Sequence, residues 1–409
     1  MTTTTDSGLR RGDCQAGPLA GVRVLELGNM IAGPTAGVLF ADFGADVVKV
    51  ELPGVGDDLR SLPPHKGTVP LWWKVTNRNK TLITLDLRTD RGQQLLKRMV
   101  PHFDIVIENF RPGTLERWGL GFDSLAKLNV GLILARISGY GQTGPYAMRP
   151  GYGTVAEAMS GVPSFTGFPD KPPTLSAFTL VDALAGLFAV QGALMALYER
   201  NTSGCGQVVD VSLFESLFRL VDPQVIAYDQ LAQIKPRQGN RLTGDSPRNA
   251  YRTLDGRYIT ISAGSKRTFA RLASAIGMPE LANDPRFADV QSRCANVDEL
   301  DQIISQWFEA RSMPEAMTML EEHDVVAGPV YDIADIFDDP QYRAREDIVS
   351  IDDPDLGTVR MQGIVPKLSR TPGAVIHTGG AMGEGNEAFY TTIGLTEREI
   401  TELRAEGVI

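Results

Sequence analysis

The sequence contains few cysteines and histidines, and it lacks the motifs that mark most metal and serine enzymes. Its 409 residues include three cysteines and four histidines. Cys14, Cys205 and Cys294 lie far apart and show no C-x-x-C spacing, so neither a disulfide framework nor a zinc site is indicated. No H-E-x-x-H or G-x-S-x-G segment occurs, which argues against metal hydrolases and serine triads. A reducing cytoplasm fits this composition best.

Long hydrophobic runs and an excess of basic charge are also missing. The polar N-terminus has no apolar core of a signal peptide, and no later run is interpreted as long enough to cross a membrane. Forty Lys and Arg against fifty Asp and Glu give a net charge of −10, which argues against a protein that coats nucleic acid or an anionic membrane. We therefore expect a soluble, cytoplasmic protein that binds anionic ligands through local basic groups.

The first half of the chain alternates short β-branched runs with helical patterns. Strands are predicted at residues 22–27, 47–51, 82–87, 105–108, 132–137 and 208–211. Helices are predicted at residues 34–43, 90–100 and 180–200. This alternation is typical of a parallel, doubly wound α/β sheet. The helix at 180–200 is rich in alanine and glycine, and we expect it to be buried.

A chain of 409 residues exceeds what one hydrophobic core usually organises, so a second domain is expected. A D-G turn between two β-type runs at 251–254 and 258–262 indicates a hairpin. Helices are predicted at 269–276, 297–310, 314–322 and 397–406. The predicted organisation is a flexible tail (1–18), a large Rossmann-like domain (19–222), a linker (223–249), a small α+β domain (250–331), and a return segment whose C-terminal helix packs on the large domain (332–409).

The loop after the first strand does not carry a nucleotide signature. Residues 28–34 read GNMIAGP, which is neither G-x-G-x-x-G nor a P-loop with its lysine. Nicotinamide dinucleotides and ATP are therefore disfavoured. Asp182 lies near the start of the helix at 180–200, where the helix dipole favours an ionised carboxylate by up to about 1 kcal/mol. From its position alone, Asp182 is better explained as an ordinary first-turn residue than as a catalyst.

Three arginines follow predicted strand ends. Arg88 comes after the strand at 82–87, and Arg111 and Arg117 come after the strand at 105–108. Ligands of open α/β sheets bind outside the carboxyl ends of the strands, so these guanidinium groups could meet a phosphorylated ligand. For any one of them a solvated surface arginine is the simpler interpretation, and it is their grouping that makes a site credible.

Six short segments follow one another along the chain in a distinctive order. They are ADVVKVE (45–51), NRNK (77–80), LDL (85–87), ENFRPG (108–113), GYGQTGP (139–145) and TSGCGQ (202–207). Together they resemble the family III CoA transferases, the group of formyl-CoA and carnitine CoA transferases, over about residues 19–409. The resemblance implies a Rossmann-like large domain and a smaller α+β domain. It also implies a dimer of two interlocked rings, with active sites between domains of different subunits.

The resemblance also implies which residues form the site. Asp182, in the segment TLVDALAG (179–186), matches the catalytic aspartate. Residues that match CoA contacts are Ile31, Ala32, Leu85, Arg88, Asn109, Phe110, Arg111, Arg117 and Tyr152. Leu52 stands where some relatives have an arginine, so one phosphate contact is missing or replaced. No metal and no permanently bound cofactor is implied, since the CoA thioester is a substrate.

The implied reaction passes CoA through the aspartate. The carboxylate attacks an acyl-CoA, a mixed anhydride forms, and the released thiolate returns to give an aspartyl-CoA thioester that the acceptor acid attacks. Residues 111–121 and 139–146 are most similar to succinyl-CoA-dependent transferases that act on malate or related dicarboxylates. Arg149, Arg241 and Arg248 are candidates for holding a distal carboxylate, with ordinary surface arginines as the alternative.

Two other functions stay open. α-Methylacyl-CoA racemases share the resemblance but add a histidine in a Gly-His-Asp segment, where this chain has Tyr152 and Gly153. A tyrosine is a poor second base near neutral pH, so a racemase or epimerase ranks second. The third possibility is a non-catalytic CoA-binding subunit of a heteromer. The expected partners are acyl-CoA, a carboxylic acid and a second copy in an interlocked homodimer or a heteromer, without nucleic acid or membrane.

Overall fold

The computed structural model describes residues 17–409, so Cys14 and most of the predicted tail lie outside the described residues. The described chain divides into two compact units. The larger unit consists of residues 17–162, Leu175–Asp222 and Ala344–Ile409, and the smaller of Pro163–Thr174 and Pro223–Arg343. The sequence pattern did not single out Pro163–Thr174. The predicted domain boundaries stay predictions.

The helices and strands of residues 17–409 are as follows. The strands are β1 (Arg23–Glu26), β2 (Asp46–Glu51), β3 (His65–Lys66), β4 (Val69–Pro70), β5 (Thr81–Thr84), β6 (Ile105–Glu108), β7 (Ile133–Ser138), β8 (Val208–Ser212), β9 (Arg248–Arg252), β10 (Tyr258–Ser262), β11 (Ala327–Pro329), β12 (Ile348–Asp353) and β13 (Gly357–Gln362). The α-helices are α1 (Ala32–Asp42), α2 (Leu71–Thr76), α3 (Asp90–Met99), α4 (Thr114–Arg117), α5 (Phe122–Leu125), α6 (Gly153–Met159), α7 (Val162–Phe165), α8 (Leu180–Ser203), α9 (Leu213–Phe218), α10 (Gln224–Leu231), α11 (Lys266–Ala275), α12 (Val290–Ala295), α13 (Val297–Glu309), α14 (Met313–Glu322), α15 (Ile333–Asp338), α16 (Pro340–Ala344), α17 (Asn386–Thr392) and α18 (Glu397–Ala405). Short 3-10 helices occur at Asp58–Ser61, Val100–His102 and Pro279–Asn283.

A six-stranded parallel sheet forms the centre of the larger unit. Its strand order is β5-β2-β1-β6-β7-β8, and every neighbouring pair is parallel. Along the chain, β2 and β5 are added on one side of β1, and β6, β7 and β8 are then added on its other side. The direction in which strands are added therefore reverses between β1 and β6. Ligands of such sheets bind beyond the carboxyl ends of the strands at this switch point. The prediction of an α/β fold with a parallel, doubly wound sheet is confirmed.

Helices cover both faces of this sheet, and most residues of its strands are apolar. Alternate residues of a strand point to opposite faces, as Val24 and Leu25 do in β1. On one face β1 packs with α1 and α8, and on the other it packs with α3, α17 and α18. The predicted strand at 82–87 is shorter than expected, because the chain leaves β5 after Thr84.

Helix α8 is only partly buried, so the expectation of a buried helix is wrong. Val181 and the small residues Ala185, Ala189, Ala193 and Ala196 repeat at helical spacing and are buried, and α8 packs against α1. Larger side chains on the helix, Leu187, Leu194, Met195 and Tyr198, are exposed. The sequence pattern predicted burial because apolar composition does not distinguish a face that meets the core from one that is left uncovered.

Helix α8 also corrects the statement that no run reaches the length of a membrane span. By length and apolar composition alone this helix could cross a membrane. A single helix of this kind is weak evidence for a span, because core helices of soluble proteins pass the same test. The apolar composition of α8 comes both from the alanines that pack against α1 and from larger side chains that are exposed.

The smaller unit is built around a three-stranded antiparallel sheet. Its order is β11-β10-β9, and the predicted D-G turn, with Gly256 at φ 78°, joins β9 to β10. Helices α11, α13 and α14 cover the sheet with an apolar core that includes Tyr251, Phe269 and Trp307. Helix α10 lies within the predicted linker and has no buried residue.

The chain after residue 332 contains elements that the sequence pattern did not predict. β12 and β13 form a two-stranded hairpin, and only Asp353 and Met361 in it are buried. A hairpin with so few buried side chains leaves no alternating apolar pattern to detect. The last helices return to the large unit, where Tyr390 and Leu403 belong to the core of the sheet.

Candidate active site

A cavity of about 840 Å³ opens at the carboxyl edge of the parallel sheet. Loops that follow β1, β6 and β7 line it, together with the first turn of α8. All of its lining residues belong to the larger unit. The size is in the range of small-molecule and cofactor sites, and the place is the switch point between β1 and β6. The cavity is therefore the candidate active site.

Asp182 lies in this cavity, on the first turn of α8. Burial raises the pKa of its carboxyl above the usual value of an aspartate. Within residues 17–409, no side chain forms a hydrogen bond or an ion pair with it. A carboxylate without a partner in a cavity is a candidate for chemistry, since structural carboxylates are usually paired when they lose water.

Gly153, the first residue of α6, makes room for this carboxylate. A Cβ atom built on Gly153 would lie 2.2 Å from Asp182 Oδ2, a distance at which the two atoms overlap. The carboxylate of Asp182 therefore lies directly against the backbone of α6. Because Gly153 has no side chain, the space beside the start of α6 is open to this carboxylate.

The loop after β1 is held by Asn109, which follows β6. The Asn109 Oδ1 accepts a hydrogen bond from the Asn29 N–H (2.8 Å), and its Nδ2 donates to the Asn29 carbonyl (2.8 Å). Gly28 and Gly33 approach so closely that a Cβ on Gly28 would lie 2.9 Å from the Gly33 Cα. Ile31 and the start of α1 are thereby fixed at the cavity wall.

Buried charged side chains also hold the loop that follows β1. The Lys49 Nζ lies 2.6 Å from the Gly28 carbonyl, 2.8 Å from Asp57 and 3.2 Å from Glu26. Asp57 in turn accepts a hydrogen bond from the N–H of Met30, whose φ is 66°. Burial alone lowers the pKa of Lys49, but the neighbouring carboxylates of Glu26 and Asp57 raise it above its usual value. A cation in mid-strand therefore fixes the backbone of the cavity loop.

The structure brings six of the ten predicted site residues to this one cavity. They are Ile31, Ala32, Asn109, Phe110, Tyr152 and Asp182. The other four do not line it. Leu85 is buried in the core of the sheet, and Arg88 is exposed and pairs with Asp86 (2.8 Å). Arg111 and Arg117 are also exposed, and the Arg117 Nη2 donates to Thr114 Oγ1 (2.9 Å).

The three arginines that were candidates for a distal carboxylate are all engaged elsewhere. The Arg149 guanidinium lies 3.7 Å from the centre of the Tyr146 ring. In the smaller unit, Arg241 pairs with Asp298 (2.8 Å) and Asp301 (2.6 Å). Arg248 donates to the carbonyl of Asn240. No lysine or arginine lines the cavity in the part of the chain that the structure describes.

Sequence reasoning missed several residues that form the cavity. Glu157 lies one turn after Gly153 on α6 and accepts two hydrogen bonds from Ser176. The Ser138 hydroxyl, at the end of β7, is buried at the cavity wall without a hydrogen-bond partner among the described residues. The four-residue spacing of 153 and 157, which puts both on one face of a helix, was a usable signal. Ser176 lies in an irregular segment and gave none.

Comparison with known proteins finds relatives that match nearly the whole chain. A succinyl-CoA–D-citramalate CoA-transferase of Chloroflexus aurantiacus is 49% identical over 395 residues, 96% of this chain and 98% of that protein. The beta subunit of a succinyl-CoA–L-malate CoA-transferase of the same organism is 40% identical, covering 96% of this chain and 98% of its own length.

A solved structure and a family model agree with these relatives. The crystal structure of a CAIB/BAIF family protein from Brucella suis matches with a TM-score of 0.83 and 33% identity, covering 93% of this chain and 100% of that one. The family model described as CoA-transferase family III matches residues 19–386. The resemblance inferred from the six sequence segments is confirmed: the chain belongs to CoA-transferase family III and is a CoA transferase.

Proposed function

We propose that this enzyme moves CoA from succinyl-CoA to a dicarboxylic acid of the citramalate or malate type, with Asp182 as the covalent carrier. The observation that carries the proposal is the half-buried Asp182 carboxylate, which no side chain of residues 17–409 pairs, in the cavity at the switch point of the sheet. The two Chloroflexus relatives, whose names specify succinyl-CoA and a dicarboxylate, support the choice of donor and acceptor.

The reaction proceeds by four acyl transfers that conserve every atom. An oxygen of Asp182 attacks the thioester carbon of succinyl-CoA, the C–S bond breaks, and CoA thiolate leaves behind a succinyl-aspartyl anhydride. The thiolate attacks the aspartyl carbon, which releases succinate and forms an aspartyl-CoA thioester. The acceptor carboxylate displaces the thiolate to give a second anhydride. The thiolate then attacks the acceptor carbon and regenerates the Asp182 carboxylate, with no net transfer of a proton or an electron.

The cavity supplies two conditions that this sequence needs. Desolvation makes the ionised Asp182 more reactive, while its place in the first turn of α8 keeps part of its charge stabilised. The intermediates carry the energy of the thioester, and water would hydrolyse them, so the cavity has to exclude water during transfer. The buried wall formed by Ile31, Ala32 and Val181 contributes to this exclusion.

CoA is proposed to enter with its thiol toward Asp182 and to be released after each cycle, since no permanent cofactor is needed. The pantetheine arm of CoA is proposed to lie along five residues that line the cavity, Ile31, Ala32, Asn109, Phe110 and Tyr152. Arg88, Arg111 and Arg117 lie outside it and are exposed, as groups that meet phosphates would be. Leu85 is buried in the core, so it can contribute only through its backbone.

The proposed assembly is an interlocked homodimer in the cytoplasm. Large apolar side chains are exposed on α8, among them Met195 and Tyr198, and on α10, among them Ile226 and Leu231. Apolar side chains in such numbers are typical of surfaces that a second subunit covers. A heteromer is the alternative, because one relative is named as the beta subunit of its enzyme.

The direct test of this function is to trap the CoA-carrying aspartate. The protein is incubated with succinyl-CoA, quenched in acid, digested and analysed by mass spectrometry, while a panel of mono- and dicarboxylic acids is screened for new CoA esters. We expect an adduct on the peptide that contains Asp182 and CoA esters of dicarboxylic acceptors. Deuterium uptake at an acyl α-carbon without any acceptor would point to a racemase instead. Turnover only after addition of a homologous chain would point to a subunit of a heteromer.

Replacing Asn109 by alanine should weaken acyl-CoA binding. The variant loses two hydrogen bonds to Asn29, and the loop that carries Ile31 loses its tie to β6. Two neutral hydrogen bonds are together worth about 1–3 kcal/mol, so we expect the KM for succinyl-CoA to rise roughly tenfold with a smaller change in kcat. Steady-state kinetics measures both values. Asn201→Ala, on an exposed position of α8, is the control, and an unchanged KM in Asn109→Ala would contradict this role.

A further inference from the structure

One wall of the cavity is a segment without regular secondary structure. All five residues from 175 to 179 line the cavity, and the chain runs from them directly into α8 and Asp182. The segment contributes little to the core, since Phe178 is 67% exposed. Such a segment keeps its place only if specific bonds hold it, because ordering an irregular chain costs conformational entropy.

Glu157 provides such a bond. Its Oε1 accepts a hydrogen bond from the Ser176 N–H (2.7 Å) and another from the Ser176 hydroxyl (2.8 Å). Glu157 is 6% exposed and lies on α6, the helix whose first residue supports the Asp182 carboxylate. Hydrogen bonds to a charged acceptor are stronger than neutral ones, and this pair joins the wall to a regular element.

We propose that Glu157 is a positioning residue of the transferase: by holding Ser176 it keeps residues 175–179 closed over Asp182 and so protects the aspartyl-CoA thioester from water. This inference rests on the proposed function of Asp182. Residues 175–179 and α6 lie on the same cavity as Asp182, so displacing the segment opens the cavity beside the reacting carboxylate. Water that enters there cleaves the thioester to the free carboxylate and CoA thiol, and CoA is lost without transfer.

The test compares CoA released by hydrolysis with CoA transferred to the acceptor. Free thiol is measured with a thiol reagent and the product CoA ester by mass spectrometry, in the full-length protein with succinyl-CoA and its best acceptor. Glu157→Ala removes both hydrogen bonds, and we expect the ratio of hydrolysis to transfer to rise about tenfold or more. Glu157→Gln keeps an oxygen that accepts both bonds and should restore the ratio to within about threefold of the natural value. Ser176→Ala keeps the N–H bond and should lie between the two.

The chain offers a matched control in α18. Glu399 also accepts an N–H (2.7 Å) and a hydroxyl (2.9 Å) from one residue, Thr396, and it does not line the cavity. Glu399→Ala should leave the ratio unchanged. If Glu157→Ala unfolds, the ratio of hydrolysis to transfer in Ser176→Ala is the test of the proposal, since this substitution removes only a hydroxyl.

Two outcomes would overturn the inference. The first is a natural ratio in folded Glu157→Ala or, if that variant unfolds, in Ser176→Ala. The second is a Glu157→Gln variant with the same ratio of hydrolysis to transfer as Glu157→Ala, although its amide oxygen can still accept both hydrogen bonds from Ser176. Failure of the proposed function shows differently, because Asp182→Ala would then keep transferring CoA.

Discussion

Replacing Asp182 by alanine or asparagine is expected to abolish CoA transfer, with a loss in kcat of about 10⁴-fold or more. The proposed reaction forms its anhydrides and its thioester on this carboxylate, and neither substitute can act as a carrier. The described residues that line the cavity contain two other carboxylates, Asp58 and Glu157. Glu157 is held by Ser176, so it is not free to replace the nucleophile.

The measurement is the rate of formation of the acceptor CoA ester, together with the mass of the peptide that contains residue 182. Neither variant should carry an adduct after incubation with succinyl-CoA. Asp90→Asn is the matched control, because Asp90 also lies in the first turn of a helix, α3, but is exposed and outside the cavity. Transfer at the natural rate in Asp182→Ala would disprove the proposed mechanism.

Loss of activity in these variants should not come from unfolding. Burial raises the pKa of Asp182 in the folded state, so the folded protein binds more protons than the unfolded chain between the ordinary and the raised pKa. The contribution of Asp182 to stability therefore falls as pH rises through that window, and near neutral pH its ionised form destabilises the fold. Asp182→Asn removes this cost, and its melting temperature should equal or exceed that of the natural protein. A scan of thermal unfolding at neutral pH checks this.

The parallel sheet was predictable from the sequence because its strands are buried on both faces. Such strands are short apolar runs between helical patterns, and the runs at β1, β2, β6, β7 and β8 appear within about one residue of their predicted places. Helix α8 shows the limit of this reasoning. Composition identified a long apolar helix, but which side meets α1 depends on tertiary packing, and Leu187, Met195 and Tyr198 proved to be exposed.

The candidate site was predictable only in part. Residues in conspicuous segments, such as Asn109 and Asp182, were found, and the structure places them in one cavity. Lys49 was interpreted as part of a strand, although a lysine in a buried strand needs buried partners, and these, Glu26 and Asp57, come from distant parts of the chain. Ser176 could not be found at all, because its bond to Glu157 joins an irregular segment to a helix across nineteen positions.

A methyl group at position 153 should be enough to inactivate the enzyme. In Gly153→Ala the new Cβ would meet Asp182 Oδ2 at 2.2 Å and Asp182 Cγ at 3.2 Å, so either the carboxylate rotates away or α6 shifts. A displacement of about 1 Å at a reacting group can cost roughly 10²-fold in rate, and we expect kcat to fall by about that factor or more. Because the space at 153 is filled by the carboxylate itself, an acidic side chain there should be more harmful than alanine.

The melting temperature of Gly153→Ala distinguishes a direct loss of activity from misfolding. Gly153 is the first residue of α6 and its φ is not in the left-handed region, so alanine suits the backbone and should favour the helix by up to about 1 kcal/mol. Gly328→Ala is the matched control, since its Cβ meets no heavy atom within 4 Å. We expect Gly328→Ala to transfer CoA at the natural rate, while Gly153→Ala melts near the natural temperature but forms the Asp182 adduct slowly. A Gly153→Ala enzyme with natural kcat would show that Asp182 reacts from a different orientation, with its carboxylate turned away from α6.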